Sequence, residues 1–329
     1  MTPPALPREL QVEVTGACNL RCRMCLVRYR EPLDRHRASL DFERFKALVD
    51  ALPELETVTL QGLGEPLMAP DLLRMLEYGA ARGLRMGFNT NATLLTRATA
   101  ERLVDAHLAW LHVSLDGATA ATYESIRDGA RFDKVRRNVQ GLVEVMRARG
   151  ADRPSLSLVF VAMRRNVAEL PALVRLAAEW GIPTLRVQNL SHSFSDTDPA
   201  GDYREIRAFA ETEALWGASS PADAVFAEAR ALAETLGVRL RLPHLDAENA
   251  PPAGRGCDWP WHSAYVRHDG KVQPCCMLMG GNRGVLGDLG AGSFPAIWRG
   301  ERYEAFRAAL ETPTPPDVCR GCSMYRGVF

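Results

Sequence analysis

LQVEVTGACNLRCRMC, residues 10–25, joins a short apolar run to three cysteines that fall within eight positions. LQVEVT (10–15) reads as a β-strand, so Cys18, Cys22 and Cys25 lie in the loop at its C-terminal end. The unit then repeats. SLDFERFKALVDAL (39–52) places Phe42, Phe45, Val49 and Leu52 on one helix face behind Ser39 as N-cap. TVTLQ (57–61) leads into the helical segment 69–83, with Gly83 in a C-cap position, and LRMGFN (84–89) leads into TRATAERLVDAH (96–107). WLHVSL (110–115) precedes helical segments to about residue 148. SLSLVFVA (155–162) precedes a helix with Leu173, Leu176, Ala177 and Trp180 on one stripe, and TLRVQNL (184–190) is a sixth strand. Six strand–helix units in series predict a parallel sheet. Periodicity leaves an open doubly wound sheet and an incomplete barrel as alternatives; in both, ligands gather at the C-terminal ends of the strands.

Beyond the sixth strand the chain is polar and turn-rich (191–206), and ADAVFAEARALAETLG (222–237) closes the last unit as a helix. From about Glu248 the texture changes. NAPPAGRG (249–256) reads as a linker, followed by short strands, one helix around 297–310, and five cysteines at 257, 275, 276, 319 and 322. Two domains are expected, 1–247 and 248–329, the second too poor in apolar sequence for an ordinary core and stapled by a metal site.

Forty basic and forty acidic residues cancel in the 329-residue chain, and no block of like charge advertises a surface for nucleic acid or anionic lipid. No apolar run approaches a membrane span, and the N-terminus lacks a signal-peptide pattern, so a cytoplasmic protein is expected. Thiols there are kept reduced, and eight cysteines then read as metal ligands or reactive groups rather than four disulfides. Three soft thiolates in one loop suit iron–sulfur or zinc. A structural zinc site needs four ligands, and no further His or Cys lies close by in sequence; a three-thiolate site leaves one metal position open.

Cys18-x3-Cys22-x2-Cys25 after the first strand of six strand–helix units resembles the radical SAM superfamily, over residues 10 to about 240. GLGEP (62–66) is similar to the family's GGEP turn, with Leu63 in place of a glycine and Gly64, Glu65 and Pro66 retained. NTNAT (89–93) and SLDG (114–117) resemble segments that contact the ribose and methionine of SAM, and Arg127 stands where relatives carry an arginine near the SAM carboxylate. Met24 replaces the aromatic residue that often precedes the third cysteine; its sulfur can pack on an adenine face. The resemblance implies a partial (β/α)6 TIM-like barrel. It also implies a [4Fe-4S] cluster on Cys18, Cys22 and Cys25 whose fourth iron chelates SAM, and Gly64, Glu65, Asn91, Ser114 and Arg127 as SAM-binding residues. The chemistry implied is reductive cleavage of SAM and hydrogen abstraction by the 5'-deoxyadenosyl radical, with a flavodoxin- or ferredoxin-type electron donor.

Cys257, Gly270, Cys275 and the pair Cys319-x2-Cys322 resemble the auxiliary-cluster extension of the SPASM and twitch subfamilies. With seven residues after Cys322, the resemblance implies a small twitch/SPASM-like domain holding one auxiliary [4Fe-4S] cluster on Cys257, Cys275, Cys319 and Cys322. That arrangement is similar to the butirosin-pathway aminocyclitol dehydrogenase. Cys276 is left without a partner, because adjacent residues of a strand point to opposite faces. One auxiliary site and a first strand beginning by residue 10 favour a small sugar-like, aminocyclitol or nucleoside substrate from natural-product or antibiotic biosynthesis. The alternative is a peptide or protein side-chain maturase. The loop with His192, Asp196 and Asp198, and Arg186 and Gln188 on the strand before it, lie where substrate could be read; Trp259 and Trp261 are expected to pack the small domain. No residue is singled out to deprotonate or re-donate hydrogen to a substrate radical, and dehydrogenation, epimerisation and decarboxylation share the same first step.

Overall fold

The first six strands of the computed structural model lie where the apolar runs place them: β1 (Glu9–Val12), β2 (Thr57–Thr59), β3 (Arg85–Thr90), β4 (Trp110–Ser114), β5 (Ser155–Val161) and β6 (Thr184–Gln188). The structure describes residues 5–34, 36–192, 194, 203–215, 222–244, 256–278 and 283–327. All six strands are parallel, each paired with its successor. Between them run α1 (Phe42–Asp50), α2 (Leu72–Ala81), α3 (Arg97–Asp105), α4 (Ala120–Ile126), α5 (Phe132–Ala148) and α6 (Leu170–Glu179). Caps follow local chemistry. Gly83 adopts φ +72° after α2, and Thr96 and Thr119 accept the backbone N–H of Thr99 and Thr122 to start α3 and α4. α1 is capped by Asp41, whose side chain accepts from Arg44 N; Ser39 instead bridges Thr15, so the N-cap lies two residues later than the sequence suggests.

Residues two apart on each strand separate into two faces. Leu10, Val12, Val58, Phe88, Leu111, Val113, Leu158, Phe160 and Leu185 are buried in one continuous core with Phe45, Leu103, Val135, Leu142, Leu170 and Leu173 of the helices. The opposite face carries Gln11, Thr59, Asn89, His112, Ser114 and Arg186, in rows fixed by the register: Asn89 beside His112 and Ser157, and Ser114 beside Val159 and Arg186. Polar residues on this inner face at the C-terminal ends of parallel strands mark the ligand side of the sheet.

Two features exceed the six-unit expectation. After α7 (Arg204–Glu213) and α8 (Ala222–Leu236), β7 (Arg239–Arg241) adds a seventh parallel strand beside β6. The C-terminal segment contributes α9 (Trp259–His262), β8 (Ser263–Val266), β9 (Lys271–Gln273) and β10 (Gly287–Asp288). β8 pairs parallel with β1, giving one ten-stranded sheet in the order β10-β9-β8-β1-β2-β3-β4-β5-β6-β7. The sheet ends at β10 and β7, which do not pair with each other among the described residues.

The segment after the linker therefore does not lack a core. Ala264, Val266, Val272, Phe294, Trp298 and Tyr303 join the core of the main sheet, and Trp298 Nε1 donates to Ala5 O at 2.8 Å. The single helix expected there is two, α10 (Phe294–Trp298) and α11 (Glu301–Leu310), separated by Gly300 and followed by α12 (Asp317–Arg320). Most of the expected linker, and the 247/248 domain boundary, lie outside the described residues.

Candidate active site

The loop after β1 is pinned before any metal is considered. Arg21 N and Arg23 N donate to Asp128 O and Ile126 O, both at 3.0 Å, and Cys25 N donates to Cys22 O at 3.1 Å. Burial pushes the thiols up, Cys18 to about 11, Cys22 to about 12 and Cys25 also above its ordinary value, so metal binding must displace protons. The donors nearby oppose that cost. Leu20 N lies 3.5 Å and Asn91 Nδ2 4.0 Å from Cys18 Sγ, and the Arg127 guanidinium lies 3.9 Å from Cys22 Sγ. N–H groups and a cation aimed at sulfur stabilise bound thiolate and tune an iron–sulfur centre. Among the described residues no three His, Cys, Asp or Glu side chains converge within reach of one metal ion. Three thiols in one loop, with N–H groups and a guanidinium directed at their sulfurs, are a donor set that fits an iron–sulfur cluster.

The GLGEP turn packs directly on this loop. Glu65 N donates to Ala17 O at 2.9 Å, and a Cβ at Gly64 would stand 2.6 Å from the same oxygen and closer still to Thr15 O, so only glycine admits the approach. Leu63, in place of a glycine, costs nothing here because the turn uses its backbone N–H, which donates to Glu13 Oε2 at 2.8 Å. Glu65 is buried and both its oxygens are taken: Oε1 accepts from Thr90 Oγ1 at 2.6 Å and Leu67 N at 3.3 Å, Oε2 from Asn91 N at 2.8 Å. It ties the GLGEP turn to the end of β3. Burial raises its carboxyl pKa, partly offset by these donors.

Asn91 continues the tie, donating to Asn19 Oδ1 at 3.0 Å and accepting from Thr93 N at 2.9 Å. Ala92 beside it has φ +56° and is held by Asn138 Nδ2 on its carbonyl at 2.7 Å, local strain that α5 stabilises. Ser114 closes β4 half-buried, its hydroxyl without a hydrogen bond among the described residues. Asp116 and Arg127, both buried, form a 2.7 Å ion pair, and Asp116 Oδ1 accepts Val161 N at 2.8 Å. Burial pushes the Asp116 carboxyl up and Arg127 pulls it down, while Asp116 and Cys22 help hold the guanidinium charged. Four short segments from four strand ends thus meet at the three thiols.

Glu13 is an organising residue that the sequence reading passed over. It is buried on the inner face just beyond β1, where Oε2 also accepts Tyr265 OH at 2.7 Å and Oε1 accepts His268 Nδ1 at 2.5 Å. Burial alone would raise its pKa; the hydrogen bond and charge of His268, with the donors Leu63 and Tyr265, more than offset this and hold the carboxyl below the usual range. A lone carboxylate within an apolar strand was the available signal. Through it the C-terminal hairpin of β8 and β9 grips the GLGEP turn.

The second cysteine set gathers as its spacing suggests. Cys257, Cys275, Cys319 and Cys322 line one apolar cavity with Trp259, Met277, Phe306, Leu310, Met324 and Tyr325, and Cys276 is not in its wall. Trp259 therefore faces the thiols rather than only packing the domain. The opposite-face argument for Cys275 and Cys276 does not hold as stated, since β9 ends at Gln273 and Cys276 opens a 3₁₀ turn (Cys276–Leu278). Burial lifts both thiols, Cys276 to about 12.

His192 serves this domain and not an open substrate loop. It is buried, its Nε2 donates to Val318 O at 2.8 Å, its Nδ1 accepts Phe194 N at 2.8 Å, and its backbone bridges Cys322. The end of β6 is thereby fastened to the Cys319–Cys322 pair. Asp196 and Asp198 lie outside the described residues. Arg186 and Gln188 are half-buried on the inner face, where His112 donates from Nδ1 to Asn89 Oδ1 at 3.0 Å.

A family profile described as the radical SAM superfamily matches residues 12–177, and one described as an iron–sulfur cluster-binding (SPASM) domain matches residues 257–323. The tungsten-containing aldehyde ferredoxin oxidoreductase cofactor-modifying protein of Pyrococcus furiosus is 25% identical over 337 residues, covering 96% of this chain and 87% of that protein. Mycofactocin maturase MftC of Mycobacterium tuberculosis is 34% identical over 197 residues, 60% of this chain and 48% of that one. Among solved structures, Streptococcus suis SuiB bound to its precursor peptide SuiA matches with TM-score 0.66 at 17% identity, covering 98% of this chain and 71% of SuiB. BtrN in complex with AdoMet and 2-DOIA matches with TM-score 0.51 at 17% identity, covering 94% and 88%. Both share the fold.

Proposed function

Because this chain belongs to the radical SAM superfamily, as an enzyme that binds SAM and a [4Fe-4S] cluster and carries a SPASM domain for auxiliary iron–sulfur, we propose that it is a maturase, abstracting hydrogen from a peptide or protein side chain. The observation that carries this reading is the 34% identity, over 197 residues, to a protein named as a maturase. The aminocyclitol-like substrate that the single auxiliary site favours has weaker support. Its structural counterpart, BtrN, shares only the fold, and one relative that aligns over nearly the whole chain is named for modifying a cofactor.

In this reading Cys18, Cys22 and Cys25 hold the SAM-binding cluster, and Cys257, Cys275, Cys319 and Cys322 hold one auxiliary cluster. When bound, the first cluster supplies the electron that cleaves SAM to methionine and the 5'-deoxyadenosyl radical. The rest falls to the protein. Gly64 lets the GLGEP turn approach the cysteine loop, and Glu65 and Asn91 lock that turn to the end of β3. Arg127, fixed by Asp116, keeps positive charge beside Cys22, and Ser114 offers an unengaged hydroxyl on the inner face. A substrate C–H held near the SAM C5' on this face is shielded from water and from other hydrogen donors, which is the protein's part in radical chemistry.

The test is anaerobic incubation of the reconstituted enzyme with SAM, dithionite and peptides encoded beside its gene, in side-chain-deuterated form. Deuterium in 5'-deoxyadenosine together with a mass change on the peptide is the expected result. Deuterium transfer from a deuterated aminocyclitol or amino sugar, with peptides inert, overturns the maturase reading.

A further inference from the structure

Several arginines of the fold are engaged by neighbouring groups. Arg127 pairs with Asp116, Arg165 pairs with Glu213, and Arg307 donates to Pro260 O and Trp298 O, each at 2.9 Å. Arg186 and Arg241 break the pattern. They are Cα partners on β6 and β7, and residues paired across a ladder project from the same face. Their neighbours Leu185 and Leu240 turn to the helix-side core, so the two guanidiniums leave the sheet on its inner face. Among the described residues neither makes an ion pair or a hydrogen bond.

Among the described residues no carboxylate pairs with either guanidinium. The row that holds the pair continues through Val159 to Ser114, and the row below it holds His112 and Ser157. His112 is held neutral, its pKa pushed down to about 4 by burial and by Arg186 and Arg241. Arg186 is itself disfavoured as a cation by burial and by Arg241. Two adjacent like charges with no anion are destabilising in the free protein, and a bound anion would relieve that; paired guanidiniums offer the fork geometry that a carboxylate matches. Ser114, on the SAM side, stands two strands from Arg186 in the same row, roughly 10 Å away across the sheet. That gap accommodates a substrate anchored at one end and reacting at the other.

We propose that Arg186 and Arg241 form an anchoring site for a carboxylate of the substrate, on the inner face opposite the SAM-binding strand ends. The inference rests on the proposed function for its placement of SAM, but the anchoring itself can be measured without turnover. A carboxylate can come from a small metabolite acid or from the end of a peptide chain, and the probes separate them.

The experiment is anaerobic equilibrium binding to the reconstituted enzyme in the presence of SAM. The probes are succinate against succinamide, and N-acetyl-trialanine against its C-terminal amide. At least one acid is expected to bind while its amide does not, and whichever acid binds tighter identifies the source. Arg186→Gln and Arg241→Gln are each expected to weaken it about tenfold or more, the loss of a charge-assisted hydrogen bond, and Arg186→Lys to recover part of the affinity. Arg241 is exposed, so its variant is expected to fold, with unchanged iron content as the check. Equal binding of acid and amide, affinity unchanged in both glutamine variants, or inorganic phosphate displacing the acids at lower concentration would each overturn the carboxylate site. Failure of the wild type to form 5'-deoxyadenosine with dithionite would count against the proposed function alone, since the binding result is read separately.

Discussion

Asp116→Asn tests whether the Asp116–Arg127 pair organises the site. The change keeps the size of the side chain and an oxygen for Val161 N, which donates at 2.8 Å, and removes only the charge that meets Arg127 at 2.7 Å. Both partners are buried, so the guanidinium is left without compensation, and breaking a buried pair in this way costs about 3–5 kcal/mol. For a chain of 329 residues that corresponds to a drop in Tm of roughly 4–7 °C, from an unfolding entropy of about 2.1 cal/mol/K per residue. The assay is anaerobic thermal unfolding of the reconstituted protein, run with a cycle of Asp116→Asn, Arg127→Met and the double variant. The double variant is expected to lose less than the sum of the single losses, because it leaves neither charge buried alone. A Tm within a degree of wild type for Asp116→Asn, or strictly additive losses, would refute the reasoning.

Other perturbations read separate parts of the account. Gly64→Ala sets a Cβ against the carbonyl oxygens of Thr15 and Ala17, and backbone cannot yield as a side chain does. Lower iron content and a cost of about 1–3 kcal/mol in stability are expected from such overpacking, checked by iron assay and unfolding. His112 has a folded pKa of about 4 against 6.5 unfolded, so the unfolded chain takes up the proton first as pH falls. Stability from this group is full above the unfolded value and declines below it, by about 2 kcal/mol between pH 7 and pH 5. In His112→Gln that part of the pH dependence of urea unfolding should vanish; an unchanged slope would contradict the burial argument. Cys275→Ala should lose the auxiliary iron and Cys276→Ala should retain it, because only Cys275 lines the four-thiol cavity; the reverse outcome in an iron assay would exchange their roles.

Local patterns were legible in the sequence and long-range pairings were not. Period-two and helical stripes located β1 to β6 and the helices between them, and cysteine spacing brought out the two thiol groups, because these signals sit within a few residues of one another. The cap of α1 moved from Ser39 to Asp41 because a bridge to Thr15 claims Ser39. Nothing in the string indicates that β8 lies beside β1, and with it went the shared core of Phe294, Trp298 and Tyr303 and the role of Glu13. His192 looked like a loop residue free to read substrate because its partner, Val318 O, is 126 positions away. The Arg186–Arg241 pair stayed hidden for the same reason, since a short strand after a long helix gives little periodic signal and only the register sets the two side by side.

The central claim is that two separate thiol sets each hold a cluster, with SAM at the first. The most direct measurement is iron content and SAM cleavage after anaerobic reconstitution of wild type and of the triple variant Cys18→Ala, Cys22→Ala, Cys25→Ala. About eight irons per chain with 5'-deoxyadenosine formed, against about four irons and none formed in the triple variant, is the predicted result. A triple variant that keeps the wild-type iron content, or that still cleaves SAM, would contradict the account.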